Sequence, residues 1–370
     1  MTDTLQRAVI IGTGAIAHAH AHAIQAYVDA DGAPAARIVA VVDTSAERAT
    51  AFAEQWGVAA TFDSLEAALA AGGLDIAHIC TPPGVHADQT ILALEAGLDV
   101  VVEKPPALSL EQLDAMTDAA ERTGRTLAVV FQQRTGTAAA HVRGLLDSGE
   151  LGRPLVANCQ TLWYRDPAYF EVPWRGKWAT EGGGPTLGHG IHQIDLLAYL
   201  LGAWSSVQGQ LWRLARDVET EDVSTAVVTF ESGAVASVVT SLLSPRETSS
   251  IRIDTELATI TVDHLYGHGH EHWSITPAPG VDVPDSWALP AVEEPSGHDP
   301  LVRDIYDALR SGAPLPSTAA DPSRSFEIVA AVYASAASGS VVTPATLRLD
   351  PSRRGSLEAP VQVLAPSADG

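Results

Sequence analysis

Cysteine is nearly absent from this chain: Cys80 and Cys159 are the only two in 370 residues. Two thiols with no C-x-x-C spacing exclude a disulfide scaffold and a structural zinc site. No apolar run approaches the roughly 20 residues of a membrane-spanning helix, although 46% of the residues are hydrophobic. Basic residues are scarce, 22 against 45 acidic ones, for a formal charge of −23. That balance disfavours nucleic acid and anionic membranes as partners and leaves room only for a local basic patch on a small anion. The opening MTDTLQ has neither a basic segment nor an apolar signal core, which reads as a cytoplasmic protein. There is no internal repeat, and the length is too great for one ordinary core, so two domains are expected.

What is present near the N-terminus is G-x-G-x-x-A in its required context. An apolar run, Arg7–Ile11, leads directly into Gly12-Thr13-Gly14-Ala15-Ile16-Ala17 and then into an alanine-rich helical stretch. Gly12 permits the tight turn, Gly14 lets backbone approach a pyrophosphate, and Ala17 allows close helix-to-strand packing. The phosphates then lie on the helix N-terminus at Gly14, Ala15 and Ile16. The next predicted strand, Ile38–Val42, ends at Asp43, whose carboxylate can accept from both adenosine ribose hydroxyls and repel a 2′-phosphate. The expected cofactor is therefore NAD, with NADP disfavoured; Arg48, a turn and a half further on, weakens that exclusion a little.

The stretch Asp75–Pro106 extends the same logic. Ile76–Cys80 reads as a buried strand, Val85–Ala96 as a helix and Asp99–Glu103 as a second strand, a βαβ unit that ends in Glu103-Lys104-Pro105. Ligands of open parallel sheets bind beyond the carboxyl ends of the strands, so Lys104 is expected to project towards substrate. A second constellation runs from Glu181 through Gly182-Gly183-Gly184 to His192 and Asp195. Three glycines let backbone come close to a ligand, and the helix predicted over Leu187–Leu200 carries His192 and Asp195 on neighbouring turns. Oxidising a carbinol releases a hydroxyl proton, which a neutral imidazole is suited to take near neutral pH. His192 is accordingly the candidate base, and Lys104 the ammonium that binds and polarises the same oxygen.

Further strands and helices complete a first domain over residues 1–133, and a helix is predicted at Thr137–Asp147. A second domain, residues 134–350, carries β-like runs at Leu155–Trp163, Val207–Leu214, Val223–Phe230, Ala234–Ser241, Ile251–Asp254, Ala258–Val262 and His272–Thr276. Short polar turns between them suit a large, mostly antiparallel sheet with one open face. The tail 351–370, rich in Pro, Ser and Ala, is expected to be poorly ordered.

Taken together, the glycine motif with His20 behind it, Thr81-Pro82 with His86, Ala93–Gly97, Glu103-Lys104-Pro105 and Gly182–Asp195 resemble the Gfo/Idh/MocA oxidoreductases along nearly the whole chain. The resemblance implies an α/β protein, an N-terminal Rossmann domain followed by an α/β domain with a large, mostly antiparallel open-faced sheet that pairs subunits as a homodimer or homotetramer. It implies Thr81, Pro82, His86 and Glu103 beside the cofactor, and Lys104 with His192 at the reacting centre. It also implies hydride transfer between a nicotinamide and a carbinol of a sugar, inositol or related polyol. One position departs from the pattern. Many members have an aspartate four residues before the histidine, where this chain has Gly188, which leaves open a substitute acid, proton transfer centred on Lys104, or a weakened enzyme. The same gap keeps an alternative in view, a redox-neutral NAD-retaining glycosidase or a non-catalytic NAD and sugar sensor.

The loop from Trp163 to Trp178 is aromatic and charged. Aromatic faces pack on the C–H faces of sugar rings while arginines bond the hydroxyls, so Tyr164, Arg165, Trp174 and Arg175, with His189, are candidate substrate contacts. His268, His270 and His272 would align on one side of a strand, as metal ligands do, but a solvated or interface loop is the preferred reading and no metal site is expected.

Overall fold

The computed structural model describes residues 5–29, 31–313, 315 and 322–363. It divides into two compact units, the first made of Met1–Ala107, Glu111–Val130 and His298–Pro322, the second of Leu108–Leu110, Phe131–Gly297 and Ser323–Gly370. Among the described residues no helix is long and apolar enough to cross a membrane.

The first unit is built on six strands, β1 (Gln6–Ile11), β2 (Ala36–Val42), β3 (Ala60–Phe62), β4 (Ile76–Ile79), β5 (Asp99–Val102) and β6 (Leu127–Val129). All pair in parallel in the order β3-β2-β1-β4-β5-β6. A parallel sheet needs helices on both faces, which is why these strands are continuous apolar runs with no alternation: Ile76–Ile79 is buried throughout. The strand order reverses between β1 and β4, the place where such sheets open to a ligand. The first unit also takes in the helix His298–Ser311, a segment expected from sequence to lie in the second domain. Its Tyr306 is fully buried among Ile24, Tyr27 and Ala128, and its Asp307 accepts from the Tyr27 hydroxyl at 2.6 Å.

The second unit holds eight strands, β7 (Pro154–Tyr164), β8 (Trp204–Arg213), β9 (Val223–Phe230), β10 (Val235–Ser241), β11 (Leu243–Thr255), β12 (Ala258–Asp263), β13 (Trp273–Pro277) and β14 (Gln362–Val363), in the order β13-β12-β11-β7-β10-β9-β8-β14. Only β7 with β10 and β8 with β14 run parallel; the other neighbours are antiparallel. Side chains alternate in and out along them, as a sheet with one covered face requires. The helix Ile191–Leu201 is buried along almost its whole length, and Gly209 of β8 is kept small by Val332 of the helix Pro322–Ser338, whose Cγ1 would lie 2.9 Å from a Cβ there. The opposite face leaves Val156, Val227 and Val235 exposed. The tail, expected to be poorly ordered, instead forms a helical turn at Pro351–Gly355, buries Leu357 and Ala359, and adds β14 to the sheet edge; residues 364–370 lie outside the described part.

Candidate functional site

At the end of β1 the chain turns at Gly12 with φ of +85°, a conformation glycine adopts without steric cost. A Cβ there would lie 2.9 Å from the backbone nitrogen of Thr81, so Gly12 lets the loops after β1 and β4 touch at the switch point. Gly14 begins the helix Ala15–Ala26 with no side-chain cap and no acidic residue in the first turn. Gly14 and Ala15 are exposed, and a Cβ on Gly14 would meet nothing within 4 Å. Unsatisfied N–H groups at an open helix start fit a dinucleotide pyrophosphate.

Asp43 stands at the end of β2 and is busier than its sequence position suggests. Its Oδ2 accepts from the Thr13 backbone N–H at 3.0 Å, the Thr13 hydroxyl at 2.7 Å and Arg48 Nε at 3.3 Å. Its Oδ1 accepts from the Ser45 N–H at 2.8 Å and Arg48 Nη2 at 2.7 Å. Burial works to raise its pKa, but those hydrogen bonds outweigh it and hold the carboxyl down to about 2. A ribose hydroxyl that reached this carboxylate would compete with Arg48, which lies over it as an exposed cation.

The loops after β4 and β5 are tied together by residues that the family resemblance implies lie beside the cofactor. His86 is buried, with Nδ1 2.9 Å from Pro105 O and Nε2 2.7 Å from Thr81 O, so it clasps the two loops and offers a ligand no ring nitrogen. Thr81 donates to Gln89 at 2.6 Å, and Pro82, exposed, leads into a short turn. Glu103 turns inward at 4% exposure. Its Oε1 accepts from His20 Nε2 at 3.1 Å and His298 Nε2 at 3.0 Å, and its Oε2 from the Lys104 backbone N–H at 3.0 Å. A carboxylate only accepts, so both histidines carry their protons on Nε2. Burial holds His20 towards its neutral form, which leaves its Nδ1 bare to accept from His78 Nδ1 at 2.8 Å; His78 Nε2 then accepts from the Tyr306 hydroxyl at 2.9 Å. Every proton in the chain points towards Glu103. Burial would raise the Glu103 carboxyl, yet the two histidines hold it well below the usual carboxylate range.

Acid should loosen this arrangement. Burial lowers His20 and His78 below their ordinary 6.5 in the folded chain. The unfolded chain therefore takes up protons first as the pH drops past that value, so the stability these imidazoles contribute is complete above it and is lost as the pH falls towards their folded values. The melting-temperature gap between the wild type and a His78→Gln variant is expected to narrow from about pH 7 to about pH 5. A gap of constant size would show that His78 is not the neutral link.

In the second unit the triple glycine serves packing, where sequence pointed to the approach of a ligand. A Cβ on Gly182 would lie 2.6 Å from Leu108 Cδ2, one on Gly183 would strike the Tyr333 hydroxyl, and one on Gly184 would strike Glu221. The helix expected over Leu187–Leu200 opens with a widened π-turn, Thr186–Gly190, and becomes α-helical at Ile191–Leu201. Gly188 and Gly190 ease that turn, and a Cβ on Gly190 would lie 2.6 Å from Thr240 Oγ1. His192, 2% exposed, sets its ring edge-on to Tyr266 at 5.5 Å. Asp195 is already committed: it pairs with both ends of the buried Arg134 guanidinium, Nε at 2.7 Å, and accepts from Ser325.

Around the imidazoles gathers an aromatic and cationic cluster. Arg175 stacks on Tyr169 at 3.8 Å and Trp174 at 4.3 Å, and donates to the Tyr169 hydroxyl. Arg165 lies over Trp163 at 4.9 Å and pairs with Glu247 at 2.8 Å. His189 meets Trp163 edge-on at 5.0 Å and has Nε2 3.3 Å from the Tyr169 hydroxyl. Four of the five candidate contacts thus come together, and Tyr164 does not: strand alternation turns it to the exposed face under Arg216. Sequence passed over Tyr169, Tyr266 and Glu181, although Glu181 was visible as the acid directly before the glycines. The histidine-rich segment does not form the aligned strand. His270–His272 is a 3-10 turn, His268 is buried, and the rings of His264 and His272 stack at 3.9 Å.

Comparison with known proteins agrees with both units. Residues 6–131 match the oxidoreductase family with an NAD-binding Rossmann fold, and residues 139–261 match the GFO/IDH/MocA C-terminal domain. The chain is 34% identical over 206 residues to a D-glucoside 3-dehydrogenase of Escherichia coli (strain K12), a match that spans 55% of this chain and only 56% of that one. It is 32% identical over 249 residues to a scyllo-inositol 2-dehydrogenase (NAD(+)) of Bacillus subtilis (strain 168), covering 65% and 68% of the two chains. A crystal structure of the WlbA dehydrogenase from Bordetella pertussis in complex with NADH and UDP-GlcNAcA superposes with a TM-score of 0.80 at 28% identity, over 92% of this chain and 99% of that one. With both domains matched in order, this chain belongs to the GFO/IDH/MocA family of NAD-binding oxidoreductases.

Proposed function

We propose that the chain is an NAD-dependent dehydrogenase acting on a carbinol of a sugar, inositol or related polyol. The cluster in the second unit carries this reading. Two arginines stacked on Trp163, Tyr169 and Trp174 beside His189 and His192 suit a hydroxylated ring, with aromatic faces for its C–H surface and guanidinium N–H groups for its oxygens. NAD⁺, when bound, supplies the acceptor for the hydride that leaves the carbinol carbon. Gly14, Ala15 and Ile16 hold the pyrophosphate on the helix N-terminus. Lys104 donates to the carbinol oxygen and stabilises the negative charge that develops on it. His192 takes the hydroxyl proton.

The exposed Val156, Val227 and Val235 lie on one face of the second unit's sheet, and a second copy of the chain would cover them in a homodimer or homotetramer. Two free, buried thiols suit a reducing cytoplasm. The test of function is growth of reduced-nicotinamide absorbance with NAD⁺ across inositols, aldoses and glycosides. Oxidation confined to one class supports the reading and names the substrate. Silence across the panel from protein that still binds NAD⁺ overturns it in favour of the redox-neutral class.

A further inference from the structure

An imidazole that accepts a proton becomes a cation, and a carboxylate nearby favours that change. Asp195, one turn beyond His192, cannot serve, because Arg134 and Ser325 hold both its oxygens. Gly188, one turn before His192, has no side chain to offer. An acid nevertheless lies beside Gly188. A Cβ built on Gly188 meets a single atom within 4 Å, Glu181 Oε1 at 3.9 Å.

Glu181 is 7% exposed and ends the short helical turn Trp178–Glu181. Its Oε2 is fixed by the Gly176 backbone N–H at 2.6 Å, while Oε1, on the Gly188 side, is 3.6 Å from Arg175 Nη1. The same Arg175 donates to Tyr169, whose hydroxyl neighbours His189 Nε2, so the carboxylate belongs to the histidine cluster.

We propose that Glu181 is the positioning carboxylate of the reacting centre, reaching from the preceding turn into the place that a side chain at 188 would otherwise occupy. Gly188 is then an accommodation: an aspartate there would set two carboxylates side by side. The inference rests on the dehydrogenase reading above. As the carbinol C–H bond breaks with its electron pair passing to the nicotinamide, the O–H bond breaks with its proton passing to His192. The C=O bond forms, and Glu181 offsets the charge gained by the imidazole.

Relocating the carboxylate tests this. Glu181→Gln keeps an acceptor for Gly176 and removes the charge; kcat is expected to fall about 100-fold with KM within about threefold. Adding Gly188→Asp to that variant should restore kcat at least about tenfold, which a merely structural glutamate would not permit. An undiminished kcat in Glu181→Gln, or a double variant no better than the single, overturns the proposal. Should Glu181→Gln fold poorly, Glu181→Asp decides in its place: withdrawing the carboxylate by one methylene should lower kcat about tenfold, and no change counts against it. If no carbinol is oxidised at all, the dehydrogenase reading fails alone, and NMR titration still judges Glu181. With Arg175, Tyr169, His189 and Tyr266 unchanged, the His192 pKa should drop by about one unit in Glu181→Gln, and a constant value overturns the proposal.

Discussion

Turnover is expected to fall about a thousandfold when Lys104 is replaced by methionine, with the affinity for NAD⁺ within about twofold of wild type. Lys104 follows the carboxyl end of β5, where a parallel sheet presents side chains to ligand, and its own backbone N–H is held by Glu103 Oε2. Methionine keeps an unbranched stem of similar reach, so the local packing survives and only the ammonium is lost. The proposed pyrophosphate site, at the helix that begins at Ala15, is untouched. Lys104→Arg separates charge from geometry: it restores the cation on a planar, longer group and should recover only part of the rate. Steady-state kinetics beside calorimetric titration of NAD⁺ reads both quantities. A kcat that survives the methionine would remove Lys104 from the reacting centre.

A second large effect is expected in stability. Arg134 and Asp195 are an ion pair whose side chains are 3% and 1% exposed. Removing one partner strands the other charge in the interior, at a cost of about 3–5 kcal/mol. Arg134→Met should therefore lower the melting temperature by about 10 °C. Replacing both, as Arg134→Met with Asp195→Leu, should recover most of that loss, because two apolar groups leave no stranded charge and only the Ser325 hydroxyl loses its acceptor. An Arg134→Met protein that melts with the wild type would mean the pair is solvated. The pair anchors the helix that carries His192, the proposed base.

Local patterns in the sequence translated well into local structure. The strand Val223–Phe230 and the helix Thr137–Asp147 stand at their expected bounds, since side-chain period and flanking turn residues act over a few residues. The glycine turn at Gly12 was legible for the same reason. What escaped was long-range. The resemblance implies Glu103 beside the cofactor, and nothing local discloses that His298, 195 residues later, will cap it. The chemistry of Tyr164 suits a substrate contact, but the parity of β7 decides that Trp163 faces in and Tyr164 out. The π-turn at Thr186–Gly190, with Gly190 close against Thr240, is not something a helical period can reveal. Asp195 could be placed on the helix, but not assigned, until Arg134 was seen to claim it.

The return of His298–Ser311 to the first unit changes how this protein can be cut. A fragment that stops at Val130, where the parallel sheet is complete, would lose the partner of Tyr27, the hydroxyl that closes on His78, and one of the two imidazoles on Glu103. The nucleotide-binding half is therefore not a contiguous gene segment. To express it alone, residues 298–311 would have to be spliced back on through a linker, and any exchange of domains among relatives must carry that helix with the N-terminal half.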